Sequence, residues 1–206
     1  IINAEAQVPE NTDGTGAFVD AIAGRAPRVF ALHRSGKQGL GTAYLAGFRF
    51  ALARDYEYII EMDADFSHKP AYLPGMLHTA GAGADVVVGS RYVARGGTQN
   101  WGALRKLVSR GGSLYARTVL GVSVQDLTAG FVCYRRRVLE AVDLARVRSE
   151  GYGFQIEMKY RVLKAGFRIV EMPIIFVDRR VGQSKMSGKI ALEALAMVWR
   201  LRRQDR

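Results

Sequence analysis

The chain has 206 residues, enough for one domain with a substantial core, and its 49% hydrophobic and 24% charged residues exclude a low-complexity or disordered chain. A count of 30 Lys+Arg against 19 Asp+Glu leaves a net charge of +11, which points to anionic partners: nucleic acid, phosphorylated small molecules or an acidic membrane surface. No run of about 18 uncharged apolar residues is present, so no spanning segment is expected; no leader pattern opens at Ile1, and a single cysteine, Cys133, excludes an internal disulfide and suits a reducing compartment.

In chain order, the first 27 residues show no convincing strand–helix–strand pattern. "RVFAL" (28–32) reads as a short buried strand, followed by a glycine-rich loop and a helix over 42–54. "EYIIEM" (57–62) is a second strand that ends at two acids, Asp63 and Asp65. A helix is predicted over 72–80 and a third strand over 85–89. Apolar runs of this length between helical segments predict an α/β fold with a mostly parallel sheet. The span 101–122 reads as one or two helices, "TAGFVCYRR" (128–136) as a strand and 153–164 as a helix. "FRIVEMPIIFVDRR" (167–180) reads as a strand broken at Pro173, and 189–203 as an amphipathic basic helix. The domain reading is therefore a unit over 1–188 with a C-terminal helix over 189–206.

In open α/β sheets, ligands bind beyond the carboxyl ends of the strands. Asp63 and Asp65 lie at such an end. Two carboxylates one residue apart suit a hard divalent cation held jointly with substrate phosphates; a solvated loop is the plain alternative. His68 reads as a loop residue before the "KP" turn. Arg91 ends the third strand, and Arg105 and Ser109 follow in "LRKLVSR"; a guanidinium fork and a hydroxyl suit phosphate oxygens. Lys106 and Arg110 fit a solvated basic face equally well. Gly39 and Gly41, before a helix, suggest backbone approach to a ligand, although the Walker and dinucleotide spacings are absent. Asp126 either caps a turn or serves the site. Arg179, Arg180, Ser184 and Lys185 form an anion-binding loop or a basic linker. Trp199 with Arg200, Arg202 and Arg203, and the similar helix from Trp101, look like segments lying on a lipid surface, with core packing as the alternative.

Taken together, "EMDADFSH", "GSRY", "NWGALRKLVSR", "QDLTAGF", "GYGFQIE" and "VDRRVGQSKMSG" resemble, in the same order, the polyprenol-phosphate mannosyltransferases. These are relatives of dolichol-phosphate-mannose synthase within the inverting family 2 glycosyltransferases, and the wording is most similar to the actinobacterial polyprenol-monophosphomannose synthases. The resemblance implies a GT-A fold and transfer of mannose from GDP-mannose to a polyprenyl phosphate. It implies that Asp63, Ala64 and Asp65 form the motif that holds Mg²⁺ or Mn²⁺ against the diphosphate. It places Arg91, Arg105 and Ser109 on the acceptor phosphate, and Asp13, Lys37, Gly39, Arg180 and Lys185 on the donor side. The family's first strand, its "PTYNE" turn and its "VVDD" strand have no match here, roughly 30 to 40 residues or about one βαβ unit, and that unit cradles the guanine and ribose.

The nucleophile so implied is a phosphate monoester with a second pKa of about 6, so no strong base is needed and Asp126 reads as orienting. Direct displacement would give a β-linked product. The expected partners are GDP-mannose, a polyprenyl phosphate, an anionic membrane surface and a separate or fused membrane-anchoring domain; the expected location is the cytoplasmic face of the membrane, peripherally bound. A UDP-glucose-type donor is the first rival reading. A basic nucleic-acid-binding module is the second, but no recognised binding motif supports it, and nucleic acid is not expected as a partner.

Overall fold

The computed structural model describes residues 14–34, 36, 39–178 and 188–204, with side chains 195–203 in the last stretch. Its elements run α1 (Thr15–Ala23), α2 (Leu40–Leu52), β1 (Tyr58–Glu61), a 3-10 turn (Pro70–Tyr72), α3 (Leu73–Gly81), β2 (Val86–Ser90), β3 (Gly97–Gln99), α4 (Ala103–Leu120), β4 (Val132–Arg135) and α5 (Arg136–Ala141). A second 3-10 turn (Leu144–Arg146), α6 (Tyr152–Lys164), β5 (Ile169–Pro173), β6 (Ile175–Val177) and α7 (Gly188–Gln204) complete the order.

The main sheet has the order β1-β4-β2-β5. Strand β2 is apolar except at its end and buried along its whole length, as a central strand covered on both faces must be. It runs parallel to β5, while β4 is antiparallel to both β1 and β2. Three strands therefore share one direction and β4 is inserted against them. This direction decides where the site lies. The carboxyl ends of β1 and β2 and the amino end of β4 meet at one edge, where Val132 is in register with both Glu61 and Val88.

Side chains alternate across the sheet with a period of two. Ile59, Val86, Val88, Val132 and Tyr134 face a core completed by Phe48 of α2, Val138 of α5 and Phe154 of α6. Ile60, Val87 and Cys133 face the opposite layer, with Met76 and Ala80 of α3. A third cluster joins Ala116 and Leu120 of α4, Ile156 and Tyr160 of α6, and Val198 and Leu201 of α7. Strands β3 and β6 form a separate parallel pair.

The expected strand over 28–32 does not form. Arg28 lies in a turn and residues 29–32 join no ladder, and Phe30 and Leu32 stay exposed; Phe30 instead packs on Phe50 and under the Arg54 guanidinium. A strand needs a neighbouring backbone, and β1 is the sheet edge among the described residues. The span 101–122 is one helix, running through Gly111 and Gly112 and ending at Gly121, whose φ of 69° suits a left-handed helix stop. The break at Pro173 occurs as expected, dividing β5 from β6.

Candidate active site

Strand β1 delivers Asp63 and Asp65 to the carboxyl edge. The Asp63 backbone N–H donates to His68 Nδ1 at 3.0 Å, and Tyr44 Oη donates to Asp63 Oδ1 at 3.4 Å. Asp65 Oδ1 accepts the Ser67 backbone N–H at 3.0 Å and its hydroxyl at 2.5 Å. His68 is not a casual loop residue: it is buried, stacked on Phe131 with ring centroids 4.9 Å apart and edge-on to Phe176 at 5.3 Å. Burial pushes its imidazole down to about 4, so the ring is neutral, with Nδ1 as acceptor and the proton on Nε2. A histidine followed by a proline turn looks like a loop in sequence; only the aromatic neighbours reveal its place.

Strand β2 delivers Arg91, whose fork is already engaged. Nε donates to Asp126 Oδ2 at 2.7 Å and Nη2 to Asp126 Oδ1 at 2.6 Å. The Arg91 backbone N–H also donates to Asp126 Oδ2, and Nη2 to Thr128 Oγ1 at 2.7 Å. Of the guanidinium nitrogens, only Nη1 makes no hydrogen bond to a described residue. Burial alone would raise the Asp126 carboxyl, but the Arg91 guanidinium holds it below the usual carboxylate range. Glu171 of β5 fixes the loop before β4, accepting the Gln125 and Asp126 backbone N–H groups at 2.8 and 2.9 Å.

Helix α4 supplies Arg105 and Ser109 on its first turns. Arg105 Nη1 donates to Asp178 Oδ2 at 2.7 Å and its guanidinium lies 4.1 Å from the Trp101 ring centroid. Ser109 Oγ accepts the Tyr92 hydroxyl at 2.5 Å. Trp101 meets Phe176 edge-on, so one aromatic column, His68–Phe176–Trp101, connects the acids to the arginines. Tyr92, Thr128 and Phe176 have no role in the sequence reading, and Trp101 only opens a helix there, although "GSRY", "NWGALRKLVSR" and "QDLTAGF" carry three of the four.

Gly39 precedes α2 at φ 91°, and a Cβ there would lie 2.1 Å from Glu150 Oε2. Glu150 also accepts the Gly41 backbone N–H at 2.9 Å. The close approach that these glycines allow is therefore taken by the chain's own carboxylate. Asp13, Lys37, Arg179, Arg180, Ser184 and Lys185 lie outside the described residues; Ala64 is exposed between the two acids.

Beneath the acids lies a buried polar group that sequence reading passed over. Lys159 Nζ donates to Ala129 O at 2.7 Å and to Gln155 Oε1 at 3.2 Å. Burial pushes its ammonium down to about 8 against the attraction of Glu61 and Asp126. Burial pushes the Glu61 carboxyl up to about 8, opposed first by Lys159. "GYGFQIEMK" places Gln155 and Lys159 one helical turn apart, the signal that was available.

Residues 10–143 match the model of glycosyl transferase family 2. The chain belongs to that family. Among family members, it is 50% identical over 188 residues to an undecaprenyl-phosphate mannosyltransferase of Micrococcus luteus, covering 91% of this chain and 77% of that one. It is 48% identical over 198 residues to a polyprenol monophosphomannose synthase of Mycolicibacterium smegmatis, covering 94% and 75%. Among solved structures, glucosyl-3-phosphoglycerate synthase from Mycobacterium tuberculosis with Mn²⁺ and UDP-glucose superposes at a TM-score of 0.61 and 18% identity. That match covers 94% of this chain and 65% of the other, so this chain spans less than two thirds of its length. The same enzyme with phosphoglyceric acid gives 0.59 at 19% identity, covering 94% and 66%. At such identities the likeness shows the fold, which is GT-A.

Proposed function

We propose that this family 2 chain transfers mannose from GDP-mannose to a polyprenyl phosphate, inverting at the anomeric carbon. The observation that carries the reading is the convergence at one sheet edge of two half-exposed acids, Asp63 and Asp65, with Arg105, Ser109 and the Nη1 of Arg91. The names of the relatives in Micrococcus luteus and Mycolicibacterium smegmatis support both the sugar and the lipid phosphate.

The acid pair fits a divalent ion. Both acids offer oxygen ligands at a half-exposed strand end, and a hard ion such as Mg²⁺ is usually held by one or two carboxylates with waters and substrate phosphates. Asp63 and Asp65 would hold it, and a bound ion would neutralise charge on the departing diphosphate. The likeness to a fold neighbour that carries Mn²⁺ with UDP-glucose supports this in general terms.

The remaining chemistry belongs to the chain. Arg105 and Arg91 Nη1 would hold the acceptor phosphate, while Asp126 and Thr128 keep Arg91 in one orientation. Because the attacking phosphate is already largely ionised at neutral pH, positioning and electrostatics supply the rate. A membrane-surface setting is supported by Leu104 and Leu107 of α4, 74% and 69% exposed, and by Trp199 of α7, 53% exposed, beside Lys106, Arg110, Arg200 and Arg203. No helix among the described residues is long and apolar enough to cross a membrane.

The test is transfer of labelled mannose from GDP-mannose to a short polyprenyl phosphate, with Mg²⁺ and with EDTA. Metal-dependent label in the lipid fraction is expected. Asp65→Ala should abolish metal-dependent donor binding and spare lipid binding, and Arg105→Ala should raise the acceptor KM with the donor KM nearly unchanged. Wild-type turnover in either variant would remove that residue from its role.

A further inference from the structure

A cavity of about 340 Å³ opens between the two halves of the site. Asp65 forms one wall and Asp178, the partner of Arg105, forms another. In a direct displacement the transferred sugar must lie between the leaving diphosphate and the attacking phosphate, and this cavity lies between Asp65, read above as a metal and diphosphate residue, and Asp178, which holds the acceptor-side Arg105.

Its lining is built for a polyol. The side-chain amides of Gln99 and Asn100 and the ammonium of Lys69 are exposed and make no hydrogen bond to another described residue. An amide offers donors and an acceptor together, which matches vicinal hydroxyls. Phe66, 82% exposed, adds an apolar wall. Backbone strain points to the same place. Phe66 and Asn100, with φ of 64° and 65°, are two of the three non-glycine residues at positive φ among those described. Asparagine visits this region routinely, but for the bulky Phe66 it is an outlier, and such strain gathers at ligand clamps. The frame that imposes it is tied on both sides. Gln99 O accepts the Asp178 N–H at 3.1 Å, and Ser67 O accepts the Val177 N–H at 3.4 Å.

We propose that this cavity is the subsite that reads the transferred hexosyl group, with Gln99 and Asn100 as its specificity-determining residues and Phe66 as its apolar wall. The assignment rests on the glycosyl-transfer reading above.

The experiment measures kcat/KM for the full chain with GDP-mannose, its C2 epimer GDP-glucose and UDP-glucose, and separately the affinity for GDP, which carries no sugar. The variants are Gln99→Ala, Asn100→Gly, which keeps the left-handed backbone accessible, and Phe66→Gly. The ratio of kcat/KM between the preferred donor and its competitor is expected to fall about tenfold in Gln99→Ala and in Asn100→Gly, the worth of one hydrogen bond, with GDP affinity unchanged. Phe66→Gly should lower kcat/KM for all donors without altering GDP affinity. Unchanged discrimination in both amide variants, or a matching loss of GDP affinity, overturns the subsite while leaving the transfer reading intact. A wild-type preference for a glucosyl donor corrects the sugar named above, and the same variants then test the subsite on that donor. A wild-type chain that uses none of the three overturns both.

Discussion

Arg91 and Asp126 are each almost wholly buried, and neither is tolerable there without the other. Asp126→Asn leaves the guanidinium with a neutral partner; a loss of about 3 kcal/mol in urea unfolding is expected, at an unchanged m-value. His68 gives a pH signature. Its pKa is about 4 in the folded chain and about 6.5 when unfolded. Between these values the native state binds fewer protons, so its contribution is present above pH 6.5 and is lost as pH falls toward 4. The loss is on the order of 3 kcal/mol. His68→Asn keeps an acceptor for the Asp63 N–H but does not titrate, so unfolding in EDTA across this range should show a shallower acid slope than wild type. Equal slopes would remove His68 as the source. None of these pairings is legible locally: Arg91 and Asp126 are 35 residues apart, and nothing in "GSRY" alone says its arginine is spoken for.

At the scale of elements, α6 acts as a tether. Lys159 reaches from its buried face to Ala129 O, in the loop that carries Asp126 and Thr128. Lys159→Met keeps the volume and removes the donors, leaving a buried carbonyl unpaired. A loss of about 1–3 kcal/mol is expected, with acceptor KM raised and donor KM unchanged; a fall in stability alone would make Lys159 structural only. Most strands and helices after residue 40 are readable, because periods of two and 3.6 are properties of a short stretch; the short β3 and α5 are not. The antiparallel setting of β4 was not, since direction depends on which strands flank it. Likewise the apolar run at 28–32 reads as a strand by composition but joins no ladder with a described strand.

For the whole molecule, α4 and α7 pack on each other and on α6 through Ala116, Leu120, Val198 and Leu201, while Leu104, Leu107 and Trp199 remain outside. Of the two sequence readings of these helices, core packing describes the face that carries Ala116, Leu120, Val198 and Leu201, and the proposed lipid surface concerns the exposed face. Burying a leucine is worth about 1.5–3 kcal/mol, so Leu104→Glu with Leu107→Glu should weaken sedimentation with anionic vesicles more than tenfold, without change in urea midpoint. Binding should also fall with salt, as expected for a basic surface on anionic lipid. Unaltered vesicle binding would move the lipid surface elsewhere on the molecule.

By itself the sequence determined the α/β class, the position of Asp63 and Asp65 at a strand end, and the basic, apolar character of α4 and α7. Each depends on residues within a few positions of one another, where propensity and periodicity act. Tertiary structure alone decided that Arg91 is bound to Asp126, that Arg105 is bound to Asp178 73 residues away, and that Glu150 sits at the glycines before α2. It also decided that Phe66, Gln99 and Asn100 share one cavity. These depend on strand direction and on which loops a sheet brings to one edge, and no local stretch of chain encodes that.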